Sequence, residues 1–193
     1  MKILNSPFFY RCIISSFLAF SGLIYEFLLA YFLSLTLGNT FLRFAATVGL
    51  FTLTLGVSAL SFDGFPQKFK TNFYFLTLQS LVIVVAFLSP LWIHWMDPLL
   101  HPHIPRPVTV CLSHVPVILI GLLTGLELPF LFNSAEHRQH NLILAFDYIG
   151  MFLGSLLFPL VLFPLLGIFS SLYLIIAING LVALVCWQKR VLQ

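Results

Sequence analysis

GLLTGLELPFLFNSAEHRQHNLILAFDYIGMFLGSLLFPLVLFP, residues Gly121 to Pro164, is the stretch that decides how this chain folds. It reads as two apolar helices joined by a short polar loop, Asn133 to Asn141. Each helix carries one carboxylate in otherwise apolar sequence, Glu127 on the first and Asp147 on the second. An acid at the centre of a membrane helix costs about 2.5–3.5 kcal/mol on insertion scales, so it usually faces a partner, a cavity or a pathway. Pro129 follows Glu127 by two positions. It removes a backbone donor and frees carbonyls on the preceding turn, so local unwinding beside the acid is expected. Gly150-x-x-x-Gly154, followed by Ser155, makes a small-residue face for close helix packing.

The rest of the chain agrees with a lipid environment. Of 193 residues, 60% are hydrophobic and 8% charged, and 22 are Phe. Mean hydropathy is +1.06, whereas a soluble domain is about a quarter charged. The net charge of +3 is too small and too scattered for a nucleic-acid partner. Cys12, Cys111 and Cys186 lie far apart and read as apolar packing residues, with no disulfide framework or thiolate metal site. The start imitates a secretory signal, with Lys2, Arg11 and a small-residue Ala19-Phe20-Ser21. Its apolar run continues to Leu37, so a retained first helix is expected.

Working outward gives an all-α integral membrane protein of six spans: 12–36, 40–62, 73–96, 108–132, 142–164 and 168–187. Each is about 20 residues or longer, enough for about 30 Å of hydrocarbon. The breaks carry turn chemistry: Gly38-Asn39, Asp63-Gly64-Phe65-Pro66, the proline-rich loop from Asp97 to Pro107, the polar 133–141, and Pro164 with Gly167. With the N-terminus in the cytoplasm, the inner side holds Lys2, Arg11, Lys68, Lys70, Arg138, Lys189 and Arg190, and the outer side holds Arg43 and Arg106. The positive-inside rule therefore puts both termini in the cytoplasm, and Trp92, Trp95 and Trp187 fall at interfaces. SGLIYEFLL at 21–29 also echoes TGLELPFLF at 124–132. Taken as a repeat, this gives two inverted three-helix halves, an arrangement common in transporters.

Four polar residues inside the spans are the candidates for a site: Glu26, Arg43, Glu127 and Asp147. Glu26 and Arg43 lie on successive helices, and an ion pair locking them is the leading expectation. Snorkelling of Arg43 to headgroups or a substrate site are the alternatives. Glu127 and Asp147 fall at similar depth and are expected to share a polar pocket able to attract a cation or hold a proton. The plainer alternative has both acids bonded to helix ends or to neighbours such as Tyr148. Thr47, Thr52 and Thr54 are expected to bond back to carbonyls. His94, Asp97, His101 and His103 have ligand chemistry, but interface histidines explain them as well, and no metal ligand is assigned. No Ser/His/Asp set and no adjacent glycines for a phosphate loop occur. No cofactor is expected.

Several of these motifs agree with one family. Tyr25-Glu26, Leu37-Gly38-Asn39, Gly125/Glu127/Pro129, Asp147-Tyr148-Gly150 and Gly154 resemble the transmembrane domain of membrane-bound spermidine synthases, the polyamine aminopropyltransferases. The resemblance covers most of residues 21–167. It implies a helical membrane domain similar to half of a major-facilitator transporter, in a bacterial inner (plasma) membrane. In that family a soluble aminopropyltransferase domain follows. Its Gly-rich cofactor loop and catalytic Asp have no counterpart in these 193 residues. The expectation is therefore a non-catalytic membrane subunit that anchors or organises a partner protein. The alternative is a small transporter or binding protein for a cation such as a polyamine, using intramembrane carboxylates, with a second copy as partner.

Overall fold

The computed structural model describes residues 7–66, 71–100 and 103–189. Lys2, Lys68, Lys70, His101 and Arg190, together with the side chains of Asp97 and Lys189, lie outside what it describes, so the charge bias and the histidine loop are seen only in part. Among the described residues the chain is helical, with no strand: α1 Pro7–Leu37, α2 Thr40–Ser61, α3 Asn72–Leu100, α4 Arg106–Ser113, α5 Val115–Thr124, α6 Glu127–Asn133, α7 His140–Leu157 and α8 Phe163–Lys189. Five runs are long and apolar enough to cross a membrane: Phe8–Leu37, Thr40–Gly64, Asn72–Met96, Arg106–Asn133 and His137–Gln188.

The long α1 is the axis of the bundle. It packs along α7 and also touches α2, α3, α5, α6 and α8. Around it, α2 lies against α5, and α3 lies against α8 and α5. The buried core follows α1, through Ile24, Leu28, Leu29 and Leu33 to Val117, Ile120 and Ile175 on the neighbouring helices. Glycines set the two closest approaches. A Cβ on Gly150 would collide with the carbonyl of Ser16, and one on Gly154 would stand 3.0 Å from the carbonyl oxygen of Phe20. Those four positions repeat at i, i+4 on both helices, so α7 lies nearly backbone to backbone on α1. On the other side, Gly121 and Gly125 press the turn of α5 onto Thr54 and Leu55 of α2.

The breaks follow proline and glycine. Gly38 (φ 71°) and Asn39 (φ 52°) are both left-handed and turn the chain from α1 into α2. Asn39 then caps α2 by accepting from the Leu42 N–H at 3.3 Å.

The span expected as one helix over 108–132 is three short helices instead. Pro116 cannot donate to the carbonyl of Leu112, and the helix turns at His114. The indole N–H of Trp92 donates to that carbonyl at 3.0 Å. Pro129 likewise withholds a donor from Gly125, and the helix gives way to a tight turn at Gly125-Leu126, where the Leu126 N–H bonds to Leu123 instead of Leu122, rather than the expected local unwinding. The Leu122 carbonyl freed there accepts from Ser58 Oγ.

The last run, 52 residues, is more than twice the length one crossing uses. Pro159 and Pro164 each lack a donor, and a π turn over Phe158–Leu162 absorbs the mismatch, with Phe163 N–H reaching Phe158 O. Gly167 (φ 74°, ψ −179°) then breaks the helix in a conformation that favours glycine.

The three cysteines are free. Cys12 and Cys186 are buried packing residues, but Cys111 is exposed, so the expected packing role fails there.

Candidate functional site

Three helices bring their carboxylates to one cavity of about 430 Å³: Glu26 from α1, Glu127 from α6 and Asp147 from α7. Ser15, Thr124 and Tyr148 add hydroxyls, and the other walls are mostly aliphatic and aromatic. Among the described residues no Lys or Arg lines the cavity. Each acid is placed by a feature already described.

Asp147 shares one face of α7 with Ile143, Gly150 and Gly154, the face pressed on α1. That contact brings Ser15 Oγ to Asp147 Oδ1 at 3.0 Å and near the Ile143 carbonyl at 3.4 Å. Glu127 begins α6 because the helix breaks just before it. It is 5% exposed, and Gln79 Nε2 of α3 donates to its Oε1 at 2.7 Å. Glu127 and Asp147 line the same space and lie within electrostatic reach of each other. Two acids in one mostly apolar pocket disfavour double ionisation and favour a shared proton or a bound cation.

Glu26 is 7% exposed and makes no hydrogen bond among the described residues. The ion pair expected between Glu26 and Arg43 is not formed. Helix geometry explains it. Glu26 lies 11 residues (37 − 26) before the end of α1, about 16 Å along the axis, while Arg43 lies three residues (43 − 40) into α2, about 5 Å from its start. The side chains cannot close that difference in depth. Arg43 lies near His114 instead, and its Nε is buried without a partner. Thr54 bonds back to the Leu50 and Phe51 carbonyls as expected. Thr47 does not: its hydroxyl is buried without a partner. Thr52 lines the cavity. Among the described residues no three His, Cys, Asp or Glu side chains come together as metal ligands.

Four residues of this interior were not singled out for it in the sequence: Ser15, Tyr25, Gln79 and Asn179. Asn179 Nδ2 donates to Tyr25 Oη at 2.9 Å, and Gln79 is the partner of Glu127. Gln79 and Asn179 are lone amides inside apolar helices, and that alone is a usable signal, because an unsatisfied amide in hydrocarbon is costly.

No family model matches the chain, and no solved structure matches it. Curated proteins do. The chain is 25% identical over 171 residues to polyamine aminopropyltransferase 1 of Streptomyces coelicolor, covering 85% of this chain and 31% of that protein. It is 28% identical over 176 residues to the polyamine aminopropyltransferase of Leptospira interrogans, covering 89% and 33%. It is 29% identical over 157 residues to polyamine aminopropyltransferase 2 of Aquifex aeolicus, covering 79% and 30%. The chain thus spans about a third of the length of the curated relatives it matches, and over most of its own length its homologues are polyamine aminopropyltransferases.

Proposed function

We propose that this chain is a polytopic membrane module whose interior binds a cation of the polyamine class between Glu26, Glu127 and Asp147. The observation that carries this is the cavity itself: three carboxylates from three helices and, among the described residues, no basic side chain on its walls. An apolar enclosure holding that much potential negative charge is completed by protons or by a cation. A flexible di- or triamine presents several positive charges along a narrow chain and suits acids supplied by three separate helices. The polyamine in the names of the relatives gives the ligand class. Six crossings are favoured because Gly167 divides the last 52-residue run in two. Both ends then fall on the cytoplasmic side, where seven of the nine basic residues lie.

A photoreactive polyamine analogue tests the site. It should label peptides from α1, α6 and α7 that carry the three acids, with labelling suppressed by excess spermidine. Label confined to the loops, or indifferent to competitor, would refute the cavity as the site.

A second reading is a membrane anchor, itself non-catalytic, that organises a partner protein. It is favoured by the alignments, in which this chain corresponds to one part of longer polyamine aminopropyltransferases. Purification from native membranes in mild detergent separates the two. A stoichiometric partner retained in Glu127→Gln supports the anchor. A protein that travels alone, or only with its own copies, leaves binding as the function.

A further inference from the structure

The cavity that holds the three acids has a mouth on the side of the bundle. Among the described residues that line it, those on α1, α5 and α6 are buried or half-buried. The exposed ones are Thr52 and Leu55 of α2 and Tyr148 and Met151 of α7. α2 rests on α1 and α5, and α7 rests on α1, so these two helices stand on either side of an opening whose floor is α1. Gly22 marks that floor. It is buried, it lines the cavity, and a Cβ placed on it would meet nothing within 4 Å.

Depth decides what the mouth opens onto. Leu55 stands six residues (61 − 55) from the end of α2 and Met151 six residues (157 − 151) from the end of α7, about 9 Å in each case. Thr52 and Tyr148 are deeper in their helices. With α2 and α7 crossing a membrane, the mouth faces acyl chains and not water. The carboxylates lie inside, while the rim offers two hydroxyls and otherwise apolar side chains. A ligand that suits both parts carries its charge at one end and hydrocarbon at the other. A free polyamine reaches this mouth only by taking its charges through hydrocarbon, which is costly. An amine on an apolar chain is already held in the bilayer by that chain. A second copy is a poorer cover: set face to face across the mouth, it brings three more acids to the same space and, among the described lining residues, no base.

Resting on the reading of the cavity as a cation site, we propose that its ligand is an amphiphilic amine, a polyamine head on an apolar chain, which enters sideways between α2 and α7. The head reaches Glu26, Glu127 and Asp147, and the chain stays in the mouth. Free spermidine carries the head without the chain and binds more weakly.

The test uses the purified full chain in lipid nanodiscs and spermidine bearing an N-dodecyl chain with a diazirine midway along it. On irradiation the chain should label residues 52–55 and 148–151. An excess of the same compound without the diazirine suppresses the label. Spermidine suppresses it only at about tenfold higher concentration or more. Dodecanol, the chain without the charge, does not suppress it. The label is lost in Glu26→Gln/Asp147→Asn. Should that variant fail to fold, Gly22→Leu puts a side chain into the open floor of the cavity and removes the label by occlusion. Label that dodecanol displaces, or that falls equally in the apolar groove between α3 and α8, would overturn the proposal. So would cross-links between two copies through positions 52 and 148 with no label there. Spermidine competing as well as its dodecyl derivative would also overturn it, while leaving the cation site standing. No displacement by either amine would remove the cation site and this proposal together.

Discussion

Asp147 is held by one hydroxyl, Ser15 Oγ at 3.0 Å, and by the close approach of α7 to α1 at Gly150. Two substitutions follow from that geometry. Asp147→Leu leaves the buried Ser15 hydroxyl with a poorer partner, so it should lower stability by about 1–3 kcal/mol. Asp63→Leu, on an exposed turn, should stay within about 0.5 kcal/mol. Unfolding of both variants in the same nanodiscs reads the difference, and equal tolerance would deny Asp147 its buried role. The glycines give the second contrast. Gly150→Leu drives a side chain into the Ser16 backbone, which cannot yield cheaply, and should cost about 1–3 kcal/mol or prevent assembly. Gly49→Leu, with open space where its Cβ would stand, should be close to neutral. Losses of the same size at both positions would mean that α7 does not lie on α1 as described.

At the scale of elements, the break between α5 and α6 positions the central acid. Pro129→Ala restores the donor that Gly125 lacks, so the helix should continue through Leu126 and carry Glu127 away from Gln79. Hydrogen exchange followed by mass spectrometry should show slower exchange at residues 125–130 in this variant, together with weaker polyamine binding. Unchanged exchange there would mean that packing against Leu55, and not the missing N–H, opens the turn. This break was legible in the sequence because proline chemistry is local: the residue that cannot donate and the carbonyl left over are four positions apart. The break at His114 has the same cause in Pro116, yet 108–132 reads as one span, because apolar composition hides a turn whose freed carbonyl is satisfied by a distant Trp92. The Glu26–Arg43 pair failed for the opposite reason. Closeness along the chain suggested contact, but on antiparallel helices depth decides, and the two residues sit about 12 Å apart along the axis, eight residues at about 1.5 Å each.

For the whole molecule, composition and the spacing of break residues were enough to expect long apolar helices, and the described residues are helical, with runs long and apolar enough to cross a membrane. The cavity was only half legible. Glu127 and Asp147 announce themselves as acids in apolar sequence, but Ser15 reaches Asp147 only through the packing of α1 with α7, and Gln79 reaches Glu127 only where α3 meets α6. The proposed topology is testable on its own. In a background with Cys12, Cys111 and Cys186 replaced by alanine, Arg138→Cys should react with impermeant maleimide only from the cytoplasmic side, and His103→Cys only from the outside. The reverse pattern would invert the molecule, and labelling of both from one side would remove a crossing.

The proposal of a cation held by three intramembrane acids stands or falls on one titration. Spermidine is added to the purified chain in nanodiscs by calorimetry at neutral pH, beside the Glu26→Gln/Asp147→Asn double variant, which keeps Glu127 and its Gln79 partner intact. Saturable binding to the native chain that is lost in the double variant is the expected result. No saturable binding to the native chain, or equal binding to both, would contradict it.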